Sequence, residues 1–149
     1  MENYLKLFKS IFKEIIEKYH FKIVPINEHE VALVGKGFAI SVSVNREGAF
    51  VYYIMMNEQR ELIEYWFDNY ICSKFDAKDR ENYGKPVNYD ERIVSELKVT
   101  ASGLLHHWDN ILKGDQGWIE EYKTYEYGGE SKKANNFDTK KLKSILEKK

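Results

Sequence analysis

The residues best suited to chemistry lie in the stretch GLLHHWDNILKGDQGW, residues 103–118, which holds two adjacent histidines and two aspartates. Imidazole and carboxylate groups bind zinc and transfer protons. Two ligands of one metal on a helix stand three or four residues apart, and only His106 and Asp109 have that spacing and suitable chemistry. A helical wheel places His106 opposite the apolar face and His107 on its flank. We therefore interpret both as polar residues at a helix end, and the sequence predicts no metal site.

Other candidate sites are equally weak. Cys72 is the single cysteine, so it cannot form a disulfide within the chain, and its apolar neighbours favour a buried, inert thiol. The GKG at 35–37 joins two predicted strands, whereas phosphate loops join a strand to a helix. A hydrolase would need two carboxylates that converge in a cleft. The candidates for such a pair are Glu58, Glu61 and Glu64 near a predicted second helix, and Glu120, Glu121 and Glu126 near Trp118. Because charged surface is the commoner explanation, we expect no catalytic residue, no enzyme activity and no cofactor.

Composition indicates one soluble globular chain. The 149 residues are 43% hydrophobic and 32% charged, and eleven Tyr, eight Phe and three Trp must supply much of the core. No apolar run approaches the roughly 18 residues of a transmembrane helix, and the N-terminus lacks a signal-peptide pattern. The sequence therefore predicts a cytoplasmic protein without a membrane segment.

Charge is distributed unevenly along the chain. Residues 132–149 hold seven lysines against Asp138 and Glu147, a net charge of +5, so residues 1–131 carry −6 of the total of −1. Nucleic-acid affinity depends on cationic contacts with phosphates. The acidic main part therefore argues against nucleic acid as a partner.

Two long segments have helical periodicity. Residues 3–20 place apolar side chains at spacings of three and four behind a possible N-cap at Asn3. Residues 90–113 form a second such segment, whose apolar face should bury Trp108. Gly114 stands where a left-handed C-cap is expected.

The region between them predicts a β-meander of three to four strands. In FAISVSVN, Phe38, Ile40, Val42 and Val44 alternate with small residues. If Arg46, Glu47 and Gly48 form the hairpin loop, Phe38 pairs with Met56 and Ile40 with Ile54. That register places Tyr53 and Met55 on the face opposite the main core. We expect this face to contact a partner, with a C-terminal helix carrying Leu142, Ile145 and Leu146 as the competing cover.

The remaining segments are less regular. Residues 58–74 are predicted as a helix, with an aromatic strand as the alternative, and residues 76–89 as a polar loop. The sequence thus predicts an α+β fold in which helices pack mainly on one face of the meander, forming a single domain over residues 1–127. Residues 128–149 are predicted as a polar linker and a short helix capped by Asp138.

The stretch ILKGDQGW, residues 111–118, resembles small bacterial immunity proteins, as does the order of an N-terminal helix, a meander and a late helix. The resemblance implies a protein without catalytic residues that binds a cognate toxin and blocks its active site. The interpretation that follows is a protein-binding module, with a homodimer also possible. A small hydrolase using surface carboxylates and a structural adaptor remain the alternatives. The predicted partner-binding residues are Tyr53, Met55, Glu120, Glu121, Tyr125, Glu126 and Tyr127.

Overall fold

A computed structural model describes residues 4–126, 128–134 and 141–147. Its centre is one antiparallel sheet of six strands, each paired with its neighbours in chain order. The strands are β1 (Lys22–Asn27), β2 (Glu30–Val34), β3 (Phe38–Asn45), β4 (Gly48–Met56), β5 (Leu62–Tyr65) and β6 (Lys132–Lys133). The predicted α+β meander is therefore confirmed as a class, but the expected three to four strands were too few.

The helices are short except for one. They are α1 (Leu5–Ile11), α2 (Lys13–Tyr19), α3 (Asp68–Cys72), α4 (Ala77–Arg80), α5 (Tyr89–His107), α6 (Asp109–Leu112), α7 (Trp118–Thr124) and α8 (Lys141–Glu147). Side chains from α1–α3 and α5–α7 pack with one face of the sheet into the main core, and we call that face the inner face. Helices thus lie mainly on one face, as expected.

The β3–β4 hairpin corrects the predicted register. Asn45 pairs with Gly48, so the turn contains only Arg46 and Glu47, and every pair shifts by one residue from the prediction. Ile40 now faces Tyr53, and Phe38 faces Met55. Because side chains alternate along a strand, this shift moves Tyr53 and Met55 to the inner face. The prediction that they lie on the opposite face is wrong.

The N-terminal segment is helical as predicted, but it divides into α1 and α2 at Phe12, whose φ of −95° and ψ of 10° interrupt the helix. Its apolar stripe is buried, with Phe8 and Phe12 at 0% exposure. His20 ends α2 in the left-handed conformation, with φ of 58°. The N-cap predicted at Asn3 lies outside the described residues.

The second long helix begins one residue earlier than expected, because the Asn88 side chain accepts a hydrogen bond from the backbone N–H of Glu91. The helix is interrupted at Trp108. This residue is buried, as predicted, with 2% of its surface exposed. Gly114 adopts a left-handed φ of 97°, which confirms the predicted C-cap. The Gly114 N–H bonds to the Ile111 carbonyl and the Asp115 N–H to the Asn110 carbonyl, the pattern of a Schellman motif.

Residues 58–83 contain both a strand and a helix, the two alternatives predicted for residues 58–74, followed by further short helical turns. Strand β5 covers residues 62–65 and α3 covers residues 68–72, so neither a single helix nor a single strand describes the segment. The predicted polar loop after it includes α4 and a 3-10 turn over Glu81–Tyr83. Asp76 caps α4 in a capping box with Asp79, a local signal that the polar composition concealed.

The C-terminal region joins the sheet. Strand β6 pairs with β5, and α8 packs its buried Leu142 and Leu146 against the second face of the sheet, here called the outer face. Part of this face is therefore covered by the C-terminal helix, which was the predicted alternative to a partner. The cap predicted at Asp138 lies outside the described residues. No helix in the described ranges combines the length and apolarity needed to cross a bilayer.

Candidate functional site

His106 and His107 share one buried carboxylate, that of Asp79. The Nδ1 atom of His106 lies 2.8 Å from Asp79 Oδ1, and the Nε2 atom of His107 lies 2.7 Å from Asp79 Oδ2. Ser102 Oγ donates to Asp79 Oδ1 at 2.7 Å, and His107 Nε2 is also 3.3 Å from Asp76 Oδ2. These groups form the histidine–aspartate cluster, defined as Asp76, Asp79, Ser102, His106 and His107.

Asp79 is the centre of this cluster and is fully buried. Burial alone would raise the pKa of its carboxyl group, but hydrogen bonds from His106, Ser102, the Asp76 backbone and His107 outweigh that effect. The pKa of Asp79 is therefore held well below its usual range, and the group is ionised at neutral pH.

The interpretation of the two histidines as polar residues at a helix end is incomplete. They do lie outside the core, with His106 at 49% and His107 at 23% side-chain exposure. However, their partner stands 27 and 28 residues earlier in the chain, beyond any search limited to one helical turn. In the sequence, the capping-box pattern at Asp76 and Asp79 was the available signal that a helix begins at these two carboxylates.

The predicted partner-binding residues do not form one surface. Tyr53 is fully buried in the main core, and Met55 packs against the same core, so Tyr53 cannot contact a partner. The Glu121 carboxylate accepts a hydrogen bond from the Tyr70 hydroxyl at 2.6 Å, and the Tyr125 ring packs on Tyr70 with centroids 5.4 Å apart. Glu120 and Glu126 are exposed, and Tyr127 lies outside the described residues.

The structure brings other aromatic residues together at the uncovered end of the outer face. A cleft of about 770 Å³ opens there, and we call it the aromatic cleft. It is lined by Asn45, Glu47, Phe50, Tyr52, Trp66, Asp68, Asn69, Tyr122, Gly128, Gly129, Glu130, Ser131 and Lys132. Tyr122 belongs to α7 and its hydroxyl donates to the Trp66 carbonyl at 3.1 Å, so the helix that carries Glu120 and Glu121 adjoins this cleft.

The aromatic cleft has an exposed ring at its rim. Trp66 is 51% exposed, whereas Trp108 and Trp118 are 2% and 4% exposed. The Tyr52 ring lies beside Trp66 with centroids 5.8 Å apart, and the Lys132 ammonium lies 3.6 Å from the Trp66 ring centroid. This cleft could not be predicted from the sequence, because the shifted register was needed to place Phe50 and Tyr52 on the outer face.

The electrostatic environment of the aromatic cleft is acidic. The pKa of Tyr52 is raised first by burial and then by the negative charges of Glu30, Glu64, Asp68 and Glu47. Burial likewise raises the pKa of Asp68 to about 6, although the Val51 N–H bonded to Asp68 Oδ1 at 3.0 Å opposes the shift. Burial also raises the pKa of the neighbouring Cys72 thiol to about 12, so this thiol stays protonated, as an inert cysteine would.

Several carboxylates that a hydrolase could use are engaged elsewhere. Glu61 lies 3.2 Å from the Lys133 ammonium, and Glu121 accepts a hydrogen bond from the Tyr70 hydroxyl. The side chain of Glu120 is 86% exposed at the surface of α7. Glu61, Glu120 and Glu121 therefore do not supply the pair of converging carboxylates that a hydrolase would need.

Asp68→Asn is expected to change how stability depends on pH. The folded-state pKa of about 6 lies above the value of about 3.9 in an unfolded chain. The stabilising contribution of protonated Asp68 is therefore complete below about pH 4 and is lost as pH rises through about 6. The Asn variant lacks this loss and keeps a carbonyl acceptor for Val51. Relative to wild type, it should gain stability between pH 4 and pH 7 in urea unfolding, and an equal difference at both pH values would contradict the assignment.

No protein-family model matches this chain, and neither the curated proteins nor the solved structures provide a significant match. By its architecture, the chain is an α+β protein built on a six-stranded antiparallel meander.

Proposed function

We propose that this protein is a non-enzymatic binding module that neutralises a basic bacterial toxin by direct contact through the aromatic cleft. The observation that carries the proposal is the 51% exposure of Trp66 beside the half-buried Phe50 and Tyr52. Large aromatic side chains in a concave, partly desolvated surface are the usual anchors of protein interfaces. This surface replaces the one predicted around Tyr53.

The charge of the cleft favours a cationic partner surface. Among the described residues, Glu47, Asp68 and Glu130 line it together with one cation, Lys132. Complementary charge accelerates association and excludes partners of like charge. A partner lysine or arginine near Asp68 would also stabilise its ionised form, which burial disfavours.

The contact between Lys132 and Trp66 indicates how such a partner side chain would bind. The ammonium lies over the ring at 3.6 Å, the arrangement that places a cation against the negative face of the π system. Contacts of this type contribute about 0.5–1 kcal/mol at exposed sites. Tyr52 and Phe50 offer further ring surface for a basic side chain.

The toxin as partner is inferred from the resemblance of residues 111–118, whereas the location of the binding surface is inferred from the cleft. The motif residues have folding roles here: Gly114 ends α6, and Trp118 packs in the core at 4% exposure. The two parts of the proposal therefore need separate measurements.

Trp66→Ala is expected to weaken binding by about 30-fold or more, the equivalent of ~2 kcal/mol for a central aromatic anchor. The partner is isolated from the native strain on immobilised wild-type protein, purified, and titrated against wild type and variants. Glu47→Lys should also weaken binding, because it reverses a cleft charge. Val87→Ala is the matched control, since Val87 is 81% exposed and does not line the cleft.

The outcome decides both parts of the proposal. Equal affinities of the wild type, Trp66→Ala and Glu47→Lys would place the interface elsewhere. For the toxin, the captured protein is expressed alone and together with each variant. Growth arrest that wild type and Val87→Ala relieve, and Trp66→Ala does not, is the expected result. A captured protein that does not impair growth would overturn the neutralising role.

A further inference from the structure

We propose that Asp76, Asp79 and His107 bind a divalent transition metal, with zinc as the best-fitting ion. Their nearest ligand atoms, two carboxylate oxygens and one imidazole nitrogen, all lie within 4.8 Å of one another. His107 Nε2 is 2.7 Å from Asp79 Oδ2 and 3.3 Å from Asp76 Oδ2. Ligands bound to tetrahedral zinc at about 2.0–2.2 Å are roughly 3.3–3.6 Å apart. The separation of His107 Nε2 and Asp76 Oδ2 already fits, whereas His107 Nε2 and Asp79 Oδ2 must move apart from their hydrogen-bonded 2.7 Å.

The capping box of α4 fixes the two carboxylates in a suitable orientation. Asp76 uses Oδ1 to accept the Asp79 N–H at 3.0 Å, and the Asp76 N–H donates to Asp79 Oδ2 at 3.1 Å. The cap therefore leaves Asp76 Oδ2 directed to His107, the last residue of α5. Two separate helices thus contribute ligands at one point, which a single helix with this sequence could not do.

Further groups hold Asp79 from the other side. Ser102 Oγ and His106 Nδ1 both contact Asp79 Oδ1, at 2.7 and 2.8 Å, while His107 contacts Oδ2. Hydrogen bonds to the second oxygen of a coordinating carboxylate orient it and tune the metal. Ser102 and His106 are therefore positioning residues. An ion would bind Asp79 Oδ2, which would keep the Asp76 N–H hydrogen bond and exchange its contact with His107 for the ion.

The ligand chemistry defines the class of ion. Two carboxylates and one imidazole suit zinc and neighbouring divalent transition metals, whose remaining positions water would fill. The metal takes the place of the hydrogen between His107 Nε2 and Asp79 Oδ2, and that proton is released to solvent. Access is open, because the Asp76 side chain is 55% exposed. This site is separate from the aromatic cleft and does not depend on the proposed partner.

The test uses untagged full-length protein, treated with a chelator and then titrated with zinc chloride by calorimetry. Wild type should bind one equivalent, and zinc should raise its thermal unfolding temperature. Asp76→Asn should weaken zinc binding at least ~10-fold, because it removes a charged ligand while its carbonyl can still cap α4. His107→Ala should abolish one-equivalent binding, and His106→Gln should weaken it by about 10–100-fold as an outer contact.

His29→Ala is the matched control, because His29 lies in the turn between β1 and β2 and is not part of the cluster. Its zinc affinity should equal that of wild type. The proposal is overturned if wild type binds no zinc, if Asp76→Asn and wild type bind equally, or if the bound equivalent disappears in His29→Ala. Should His107→Ala fail to fold, Asp76→Asn still decides, since its exposed side chain makes the change tolerable for the fold.

Discussion

Tyr53→Glu is expected to unfold the protein. Tyr53 is fully buried, and its ring lies 4.8 Å from the Trp118 centroid and 5.5 Å from that of Phe38. A glutamate at this position removes those aromatic contacts and leaves a carboxyl group in an apolar core, where it must stay protonated or remain uncompensated. The combined loss should exceed ~4 kcal/mol, which is a large part of the roughly 5–15 kcal/mol that stabilises a typical domain.

The measurement is urea unfolding, followed by tryptophan fluorescence and by circular dichroism. Tyr53→Gln and Tyr52→Gln form a matched neutral pair on adjacent residues that face opposite sides of the sheet. Tyr53→Gln should be strongly destabilised, whereas Tyr52→Gln, in the aromatic cleft, should retain most of the wild-type stability. The reverse order would mean that the β3–β4 register is the one that the sequence predicted.

Trp108→Ala is expected to lower the free energy of unfolding by about 3–5 kcal/mol, the usual cost of an aromatic-to-alanine change in a packed core. Trp108 is 2% exposed, and its ring packs on Tyr70 with centroids 5.1 Å apart. Its indole N–H donates to the Ile71 carbonyl at 2.9 Å, so the truncation also removes the donor bonded to that carbonyl. The residue connects the α5–α6 junction to α3.

Trp66→Ala provides the comparison in the same urea experiment. Its ring is 51% exposed, so the loss of stability should stay below about 1 kcal/mol. This control also shows whether the binding defect expected for that variant arises in a folded protein. A loss below about 1 kcal/mol for Trp108→Ala would mean that the burial of this helix face is wrong.

The sequence by itself determined those elements whose signal is local. Apolar residues at helical spacing predicted the N-terminal helical segment and the burial of Trp108, because one helix face must leave water wherever the helix packs. The glycine at position 114 predicted the end of α6, because a left-handed backbone favours a residue without a Cβ atom. Strict alternation in β3 predicted which residues join the main core, namely Phe38, Ile40, Val42 and Val44. It did not predict that Ala39 and Ser41 on the other face are buried as well.

Strand β4 shows where that local information ends. Its residues Gly48–Met56 read GAFVYYIMM, which is apolar at nearly every position, so alternation cannot select the buried face. A two-residue or a three-residue turn after Asn45 is equally compatible with the pattern. Packing against α7 decided the register, because Tyr53 then meets Trp118 in the core. That one-residue shift removed Tyr53 and Met55 from the predicted partner surface.

The candidate sites depended entirely on tertiary structure. Asp79 meets His106 and His107 only because α4 packs against the end of α5, and no periodicity links residues 27 and 28 positions apart. Likewise, the aromatic cleft required β4, β5 and the segment after Gly128 to converge. A local pattern specifies which side chains leave water, whereas a site needs the relative placement of several elements, and packing of the whole core sets that placement.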